Sequence, residues 1–407
     1  MESMEFFEEL RSIRSRAEEL SDAVIEIRRD LHQHPELSGK EFRTAVRIEE
    51  ELDKLGISHR RVGETGVLGI LQGTMGKPQR VVALRADIDA LPITENIQVA
   101  WRSENAGVMH ACGHDVHTAC LLGAARILTE RKDSFAGEVR LFFQQAEEIG
   151  AGGRLFAKDP VLGGAERVFG IHTAPDLEVG QIGVKPGINN ASVDHFVIRV
   201  EGKSSHVCTP HKGVDALYIA SQIVVSLQAV VTRMNSPVEP VVIGVGKFQA
   251  GTSYNAVASQ ALLEGTTRNI SPENRKKINE LVEKTAEGIA GIYGGKVTIE
   301  WEDFCSPLIN DPKVCREAVD IIGQMYGKNA VYQNRELFLS GDDFADLLGK
   351  VPGVYVYLGT ADPHDPLTQN PYHSDCFFVD ERAIPIGTAV YAAYAYWWLR
   401  EGPSCEA

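Results

Sequence analysis

Short, nearly continuous apolar runs are the feature of this sequence that most constrains its fold. Residues 81–84 and 139–143 contain almost no polar side chain, which is the pattern of strands buried on both faces of a parallel sheet. Helix-like periodicity at 21–33 and 41–56 opens the chain, and a further helix-like segment covers 117–131. The sequence therefore predicts an α/β protein with a mixed, mostly parallel sheet flanked by helices.

The pattern of elements changes between residues 191 and 305. There, strand-like runs and two helix-like stretches, 214–232 and 272–292, follow the order β-α-β-β-α-β, which is the order of a ferredoxin-like sandwich. A chain of 407 residues also exceeds the usual size of one hydrophobic core. We therefore expect two domains, the first formed by residues 1–190 with 306–407 and the second, inserted domain formed by 191–305.

The composition limits the class of partner. A formal charge of −15, from 41 Lys and Arg against 56 Asp and Glu, argues against nucleic acid and anionic membranes, because both need a basic surface. No apolar run approaches the roughly 20 residues of a membrane span, and the acidic N-terminus lacks a signal-peptide pattern. Seven scattered cysteines do not suggest a secreted disulfide framework. We expect a cytoplasmic protein that acts on a small molecule, without nucleic acid or membrane as a partner.

The segment Met109–His117 combines three histidines, one cysteine and one aspartate in nine residues. Cys112 and His114 flank Gly113, so a turn there would direct a thiolate and an imidazole at one ion, and both ligands suit zinc-like metals. Candidate ligands elsewhere in the chain are Glu147, Glu148, His172 and His373. The sequence therefore predicts a metal site built from several segments.

Carboxylates follow two of the predicted strands. In the adjacent pair Glu147-Glu148, one side chain would bind metal while the other would act as a general base. Asp87 and Asp89 would orient ligand imidazoles and raise their basicity. A helix cap or a turn before Pro92 is the alternative interpretation of the two aspartates.

In the predicted inserted domain, His206 and Arg268 are the residues that suggest chemistry. On a domain that closes over a substrate, the histidine would stabilise an oxyanion and the arginine would bind a carboxylate. Ordinary surface hydrogen bonds are the alternative interpretation of both residues.

Six motifs occur in a fixed order along the chain. They are Leu31-His32-Gln33-His34-Pro35-Glu36-Leu37, Leu84-Arg85-Ala86-Asp87-Ile88-Asp89-Ala90-Leu91-Pro92, His110-Ala111-Cys112-Gly113-His114-Asp115, Gln144-Gln145-Ala146-Glu147-Glu148, Gly170-Ile171-His172 and Tyr372-His373-Ser374. Nearly end to end, the chain resembles the two-metal amidohydrolases of the aminoacylase and carboxypeptidase family. The resemblance is to the branch of hippurate hydrolases, bacterial N-acyl-amino-acid deacetylases and plant auxin-conjugate hydrolases. It implies a zinc-exopeptidase-like catalytic domain with an inserted lid and dimerisation domain.

The resemblance also implies a role for each candidate residue. The metal ligands would be Cys112, which bridges two ions, with His114, Glu148, His172 and His373. Glu147 matches the general base, and Asp89 would belong to the same catalytic group. His206 and Asn255 match lid positions that in relatives contact the substrate carbonyl and carboxylate, and Arg268 looks like the lid arginine.

The same resemblance implies two divalent metal ions per subunit, with zinc or manganese expected first and cobalt or nickel as alternatives. Since the partner subunit of dimeric relatives can deliver the lid histidine, we expect a homodimer, or a tetramer, through residues 191–305. One departure stands at Ser340-Gly341-Asp342-Asp343-Phe344, where the family usually has Gly-Ser-Glu-Asp-Phe. The shorter carboxylate at this position would alter substrate fit or metal choice.

Hydrolysis of the amide bond of an N-acyl-amino acid is the function that these features favour. A dipeptidase or carboxypeptidase with the same metals is the nearest alternative, and the two differ in whether the acyl side carries a free amine. A protein that only binds metal or ligand would not need Glu147 as a base. An enzyme with Cys112 as nucleophile and His114 as base would leave Glu148, His172 and His373 without a role.

Overall fold

The computed structural model describes residues 2–76, 80–158 and 160–402, with side chains from residue 7 onward. The α-helices in these ranges are α1 (Glu2–Glu19), α2 (Ser21–Gln33), α3 (Phe42–Lys54), α4 (His114–Glu130), α5 (Gly152–Lys158), α6 (Ala216–Ala229), α7 (Pro272–Ile292), α8 (Pro312–Tyr326), α9 (Phe344–Leu348) and α10 (Ile384–Glu401). The strands are β1 (Ser58–Val62), β2 (Gly66–Gln72), β3 (Val81–Asp87), β4 (Glu138–Gln144), β5 (Arg167–Glu178), β6 (Ile182–Gly183), β7 (Gly187–Asn190), β8 (Ser192–Glu201), β9 (Val241–Ala250), β10 (Gln260–Asn269), β11 (Lys296–Cys305), β12 (Leu308–Asn310), β13 (Val331–Tyr332) and β14 (Gly353–Ala361).

The chain forms two compact units. The first unit comprises Met1–Gly187, Ile309–Glu336 and Asp343–Ala407, and the second comprises Ile188–Leu308 and Leu337–Asp342.

The first unit is built on an eight-stranded sheet with the strand order β1-β2-β4-β3-β5-β14-β6-β13. Its four central strands, β4, β3, β5 and β14, are parallel to one another, and antiparallel pairs occur toward the two edges. Every residue of β14 is buried, as are most residues of α4 and α10. The prediction of a mixed, mostly parallel sheet flanked by helices is confirmed.

A helix that the sequence did not predict begins the described chain. α1 precedes the two helices expected to open it, and it buries Leu10, Ile13 and Ala17 against the core of the first unit. These apolar residues are three and four positions apart, which is helical spacing. The many charges between them obscured that spacing in the sequence.

β5 is longer than its apolar run suggested, and this changes the position of His172. The apolar part of this strand ends at Ile171, directly before His172, but β5 continues to Glu178 in parallel pairing with β14, where His172 lies opposite Tyr357. Main-chain hydrogen bonds to β14 extend the strand past its apolar residues. His172 therefore lies inside a strand, with strand residues before and after it, rather than in a loop.

The second unit has the predicted β-α-β-β-α-β order, formed by β8, α6, β9, β10, α7 and β11. Its antiparallel sheet has the strand order β11-β8-β10-β9, so the two inner strands are the first and third along the chain. Alternate residues of β8, namely Phe196, Ile198 and Val200, are buried in one core with Ile223 of α6 and Val282 of α7. This is the ferredoxin-like arrangement.

One helical segment of the second unit contradicts the expectation that no apolar run approaches the length of a membrane span. Residues Ala216–Met234, which comprise α6 and one π-helical turn, are long and apolar enough to cross a membrane by length and composition alone. Ile219, Ile223 and Leu227 of this segment are buried in the core of the unit. The helix needs this apolar face in order to pack on the sheet.

Candidate metal centre

Gly113 sets the geometry of the Cys-Gly-His segment. It lies directly before α4 with a φ of 91°, a left-handed conformation that favours glycine. A Cβ atom at this position would stand 2.5 Å from the Thr173 hydroxyl oxygen, and that hydroxyl donates to the Cys112 carbonyl at 3.0 Å. The glycine therefore lets the chain turn against β5, so that Cys112 precedes the helix and His114 begins it.

The five side chains expected to bind metal come together in the first unit. They form two groups of three, Cys112 with His114 and His172, and Cys112 with Glu148 and His373, and the potential ligand atoms within each group lie within 4.8 Å of one another. The Cys112 sulfur is 3.5 Å from His172 Nε2, and His373 Nε2 is 3.4 Å from Glu148 Oε2. Cys112 is common to both groups, as a bridging ligand would be.

Hydrogen bonds orient two of the imidazoles toward this cluster. His114 donates from Nδ1 to the main-chain oxygen of Asp89 at 2.9 Å and to its carboxylate at 3.1 Å. His172 donates from Nδ1 to the Thr173 carbonyl at 2.8 Å. In both rings Nε2 is therefore the nitrogen that faces the other candidate ligand atoms, as a metal site requires.

Two buried atoms of the cluster have no hydrogen-bond partner. They are His114 Nε2 and Glu148 Oε1, which lie 3.8 Å apart. Unpaired polar atoms in a protein interior are costly unless a ligand satisfies them. Together with a thiolate, imidazoles and carboxylates as donors, this pair fits a divalent cation of the zinc type.

Buried carboxylates make the electrostatic potential at the cluster negative. Burial raises the pKa of Asp87, but His114 and Arg85 lower it well below its usual range. Burial also raises the pKa of Asp89, and the hydrogen bond from His114 outweighs it and lowers that pKa. Burial lowers the pKa of His114, yet Asp87, Asp89 and Glu148 raise it to about 10. The surrounding charge thus favours a cation at this position.

The other histidines of the opening segment serve different purposes. His117 donates from Nδ1 to Asp87 at 2.5 Å and accepts the Thr173 main-chain N–H on Nε2 at 2.8 Å, so both of its nitrogens are engaged. His110 is buried with neither ring nitrogen hydrogen-bonded, and burial lowers its pKa to about 4. Of the three histidines, His114 alone has a nitrogen aimed at the ligand cluster.

A buried polar network that sequence reasoning missed binds the second carboxylate oxygen of Asp87, the one that His117 does not contact. Arg85 donates to Asp87 at 2.6 Å, to Gln144 at 2.9 Å and to Asp343 at 2.9 Å. Asp343 also accepts the main-chain N–H of Gly153 at 2.7 Å. A charged residue within an apolar strand, as Arg85 is, was the available signal. The retained Asp343 of the Ser340–Phe344 motif belongs to this network, whereas the altered position, Asp342, belongs to the second unit.

Glu147 and Glu148 both reach the cluster from the turn after β4. A carboxylate oxygen of each lies within 4.8 Å of a His114 ring nitrogen and of the other. The Glu148 main-chain N–H donates to Asp89 at 3.0 Å, and Ala146 just before the pair has a φ of 54°. In the described residues, the non-glycine residues with positive φ are Ala146 and His373. Strained backbone is thus concentrated beside the ligands, as is common at functional sites.

The lid residues predicted from the sequence lie in the second unit, where His206 and Asn255 are neighbours. The main chain of Val207 donates to the Asn255 carbonyl at 3.1 Å, and both side chains are exposed. His206 Nδ1 accepts the Cys208 main-chain N–H at 3.1 Å. The second unit therefore brings these two residues together.

Arg268 lies at the other end of the same sheet. It is opposite Val193 at the start of β8, whereas His206 follows Glu201 at the end of that strand. The strand between them spans about 26 Å at about 3.3 Å per residue. Burial lowers the pKa of Arg268. Within one copy of the unit, Arg268 is therefore far from His206 and Asn255.

Comparisons with known proteins agree with this geometry. The model of peptidase family M20/M25/M40 matches residues 83–397. The chain is 39% identical to N-acetyl-L-cysteine deacetylase of Bacillus subtilis, over 90% of this chain and 85% of that protein. It is 37% identical to thermostable carboxypeptidase 1 of Saccharolobus solfataricus, over 93% and 95%. Among solved structures, the Bacillus subtilis YXEP protein, described as a dinuclear metal-binding peptidase, has a TM-score of 0.81 at 36% identity and covers 94% of this chain and 99% of its own.

Proposed function

The chain belongs to peptidase family M20/M25/M40 and is a metal-dependent amidohydrolase, and from this premise we propose that it hydrolyses the amide bond of N-acyl-amino acids. The products are a carboxylic acid and a free amino acid. The observation that carries the proposal is the pair of ligand groups that share Cys112, with Glu147 beside both Glu148 and His114.

Two divalent cations are the proposed cofactors, held by Cys112, His114, Glu148, His172 and His373. They would supply Lewis-acid polarisation of the scissile carbonyl and of the attacking water. The unpaired Nε2 of His114 and Oε1 of Glu148 support this assignment, because a cation satisfies both atoms. A set of one thiolate, three imidazoles and one carboxylate suits zinc first, with manganese next and cobalt or nickel as alternatives.

Glu147 is the proposed general base. Its carboxylate would accept a proton from the attacking water and then donate that proton to the leaving nitrogen. Asp89 would hold two elements of the site at once, because it accepts from the His114 ring and from the Glu148 main chain. Glu147 would not be needed at this position in a protein that only stores metal.

The second unit is proposed to act as a lid that binds the substrate. His206 and Asn255 would contact the carbonyl and carboxylate of the substrate, and Arg268 would also bind the carboxylate. The separation of Arg268 from His206 along β8, about 26 Å, supports an arrangement in which the two act at one site from different copies. We therefore propose a homodimer in which each site receives His206 from its partner.

A dipeptidase or carboxypeptidase activity is the second candidate, because a carboxypeptidase is among the similar proteins. The two activities differ in the group that precedes the scissile bond. A dipeptide presents a free ammonium group there, whereas an N-acyl-amino acid presents an uncharged acyl chain.

A substrate screen separates these candidates. Metal-free protein is reconstituted separately with zinc, manganese, cobalt and nickel, and each sample is incubated with N-acetyl-amino acids, N-benzoyl-amino acids and dipeptides. We expect the ratio kcat/KM to be highest for an N-acyl-amino acid. Higher kcat/KM for dipeptides with every metal would replace the first proposal with the second, and no hydrolysis of any substrate would refute both.

A further inference from the structure

The loop between α2 and α3 contacts both Asp89 and the turn after β4 that carries Glu147. This loop continues the His32–Leu37 motif and includes Ser38, Gly39 and Glu41. The Ser38 hydroxyl donates to Asp89 at 2.7 Å, so the loop reaches the carboxylate that holds His114 and Glu148. Its second contact with the site runs through Glu41.

Glu41 has a completely buried carboxylate with three donors around it. Its Oε1 accepts the main-chain N–H of Gly39 at 2.8 Å and that of Ala146 at 2.9 Å, and its Oε2 accepts the Thr65 hydroxyl at 2.7 Å. Burying a carboxylate is costly. Such a group is retained where its hydrogen bonds hold something in place.

The element held by Glu41 is the backbone that directs the proposed general base. Ala146 immediately precedes Glu147, and its φ of 54° places it in the left-handed region, which costs a residue with a side chain about 1 kcal/mol or more. The Ala146 carbonyl accepts from Ala151 and Gly152 at 3.0 and 3.3 Å. Glu41 therefore fixes the N–H of a strained residue whose carbonyl closes the turn.

We propose that Glu41 is a positioning residue for Glu147, which it acts on through the Ala146 main-chain N–H. Glu148 has an independent anchor, because its own N–H donates to Asp89. Loss of the Glu41 acceptor should therefore misdirect the base more than the metal ligand. The proposal rests on the assignment of Glu147 as the base.

Three variants test it. Glu41→Ala removes the acceptor. Glu41→Gln keeps every hydrogen bond, because its Oε1 accepts both main-chain N–H groups while its Nε2 donates to Thr65. Glu36→Ala is the matched control in the same loop, since the Glu36 carboxylate accepts from the main chain of Arg43 and Thr44 in α3 and does not contact Ala146.

For Glu41→Ala we expect kcat to fall by about 10- to 100-fold, because small misplacements of a catalytic group have effects of this size. KM and the bound-metal stoichiometry should change little. Glu41→Gln should restore kcat to within about threefold of the unmodified protein, as expected for loss of a charge without loss of the acceptor. Glu36→Ala should leave kcat unchanged. Wild-type kcat in Glu41→Ala, or a Gln variant as impaired as the Ala variant, would overturn the proposal.

Hydrogen–deuterium exchange gives a readout that does not depend on hydrolysis. In the metal-free and in the zinc-loaded protein, the peptide covering residues 144–152 should exchange faster in Glu41→Ala than in Glu36→Ala or Glu41→Gln. Unchanged exchange would overturn the positioning role even if the enzyme is active. If no substrate is hydrolysed, the proposed function fails, but the exchange rates still show whether Glu41 holds the Ala146 main chain in place. If Glu41→Ala does not fold, Glu41→Met, which fills the space without an acceptor, takes its place with the same expectations.

Discussion

At the scale of single residues, Cys112 is the side chain on which both ligand groups depend. Its thiolate is the only sulfur among the proposed ligands and is shared by the two groups. Cys120 lies on α4 in the same unit and is also buried, but its thiol donates to the Ile384 carbonyl at 3.4 Å. Alanine substitution of Cys112 is therefore expected to weaken metal binding, whereas the same substitution of Cys120 is not.

We predict that Cys112→Ala binds metal at least about 10- to 100-fold more weakly than the unmodified protein, since loss of outer partners alone has effects of that size. Cys120→Ala should retain the metal content of the unmodified protein. Elemental analysis after equilibrium dialysis against a chelator measures both. Full occupancy by two ions in Cys112→Ala would refute the bridging role.

Glu147 provides the second prediction at this scale. Glu147→Gln should bind metal normally, because Glu147 is not among the proposed ligands, while turnover falls by at least about 10²-fold for want of a general base. Glu178→Gln, which changes an exposed carboxylate at the end of β5, is the control for the loss of one charge. Turnover of Glu147→Gln equal to that of the control would reject the base assignment.

At the scale of elements, the start of α4 decides whether Cys112 and His114 can point at one site. Gly113 needs both a positive φ and the absence of a side chain against Thr173. Gly107 has a similar φ of 78°, but no atom lies within 4 Å of the position that a Cβ would take. Comparing the free energy of unfolding after alanine substitution at these two glycines separates the cost of the close approach to Thr173 from the cost of the positive φ.

Gly113→Ala should reduce the free energy of unfolding of the metal-free protein by about 2–4 kcal/mol, from left-handed strain and overpacking together. Gly107→Ala should cost about 1–2 kcal/mol, from left-handed strain alone. Urea denaturation of both variants gives the comparison. Equal losses would mean that the contact with Thr173 does not constrain the helix start.

The elements also reveal which parts of the fold were accessible from the sequence. α7 runs from residue 272 to 292 as predicted, because its apolar spacing and the Ser271 cap before Pro272 are local signals. α1 was missed because charges surround its apolar stripe. The end of β5 has no apolar pattern in the sequence, because pairing with β14 rather than apolar side chains holds that part of the strand.

At the scale of the whole molecule, the two ends of the second unit lead to a prediction about assembly. Arg268 and His206 belong to opposite ends of one sheet. If they act together, the two residues at one site come from two copies of the chain. A mixture of singly substituted chains can test this.

We predict that His206→Ala and Arg268→Ala, each inactive alone, regain roughly a quarter of the unmodified activity when they are co-expressed. Random pairing makes about half of the dimers mixed, and each mixed dimer has one intact site. Activity is measured on purified, co-expressed protein against each variant alone. If both residues acted within one chain, every site would carry one defect and no activity would return. A monomeric mass in solution would contradict the assembly directly.

The sequence alone determined the fold class and the order of elements in the second unit, because apolar periodicity and turn residues report locally on burial. It also indicated which residue types, Cys112, His114, Glu148 and their partners, belong together, because their chemistry is that of a metal site. The distances between these side chains do not follow from the sequence. Only the tertiary structure brought those five side chains together, engaged both nitrogens of His117, and joined Arg85 to Asp343 and Glu41 to Ala146. These are contacts between segments far apart in the chain, and such contacts depend on how strands and helices pack rather than on any local pattern.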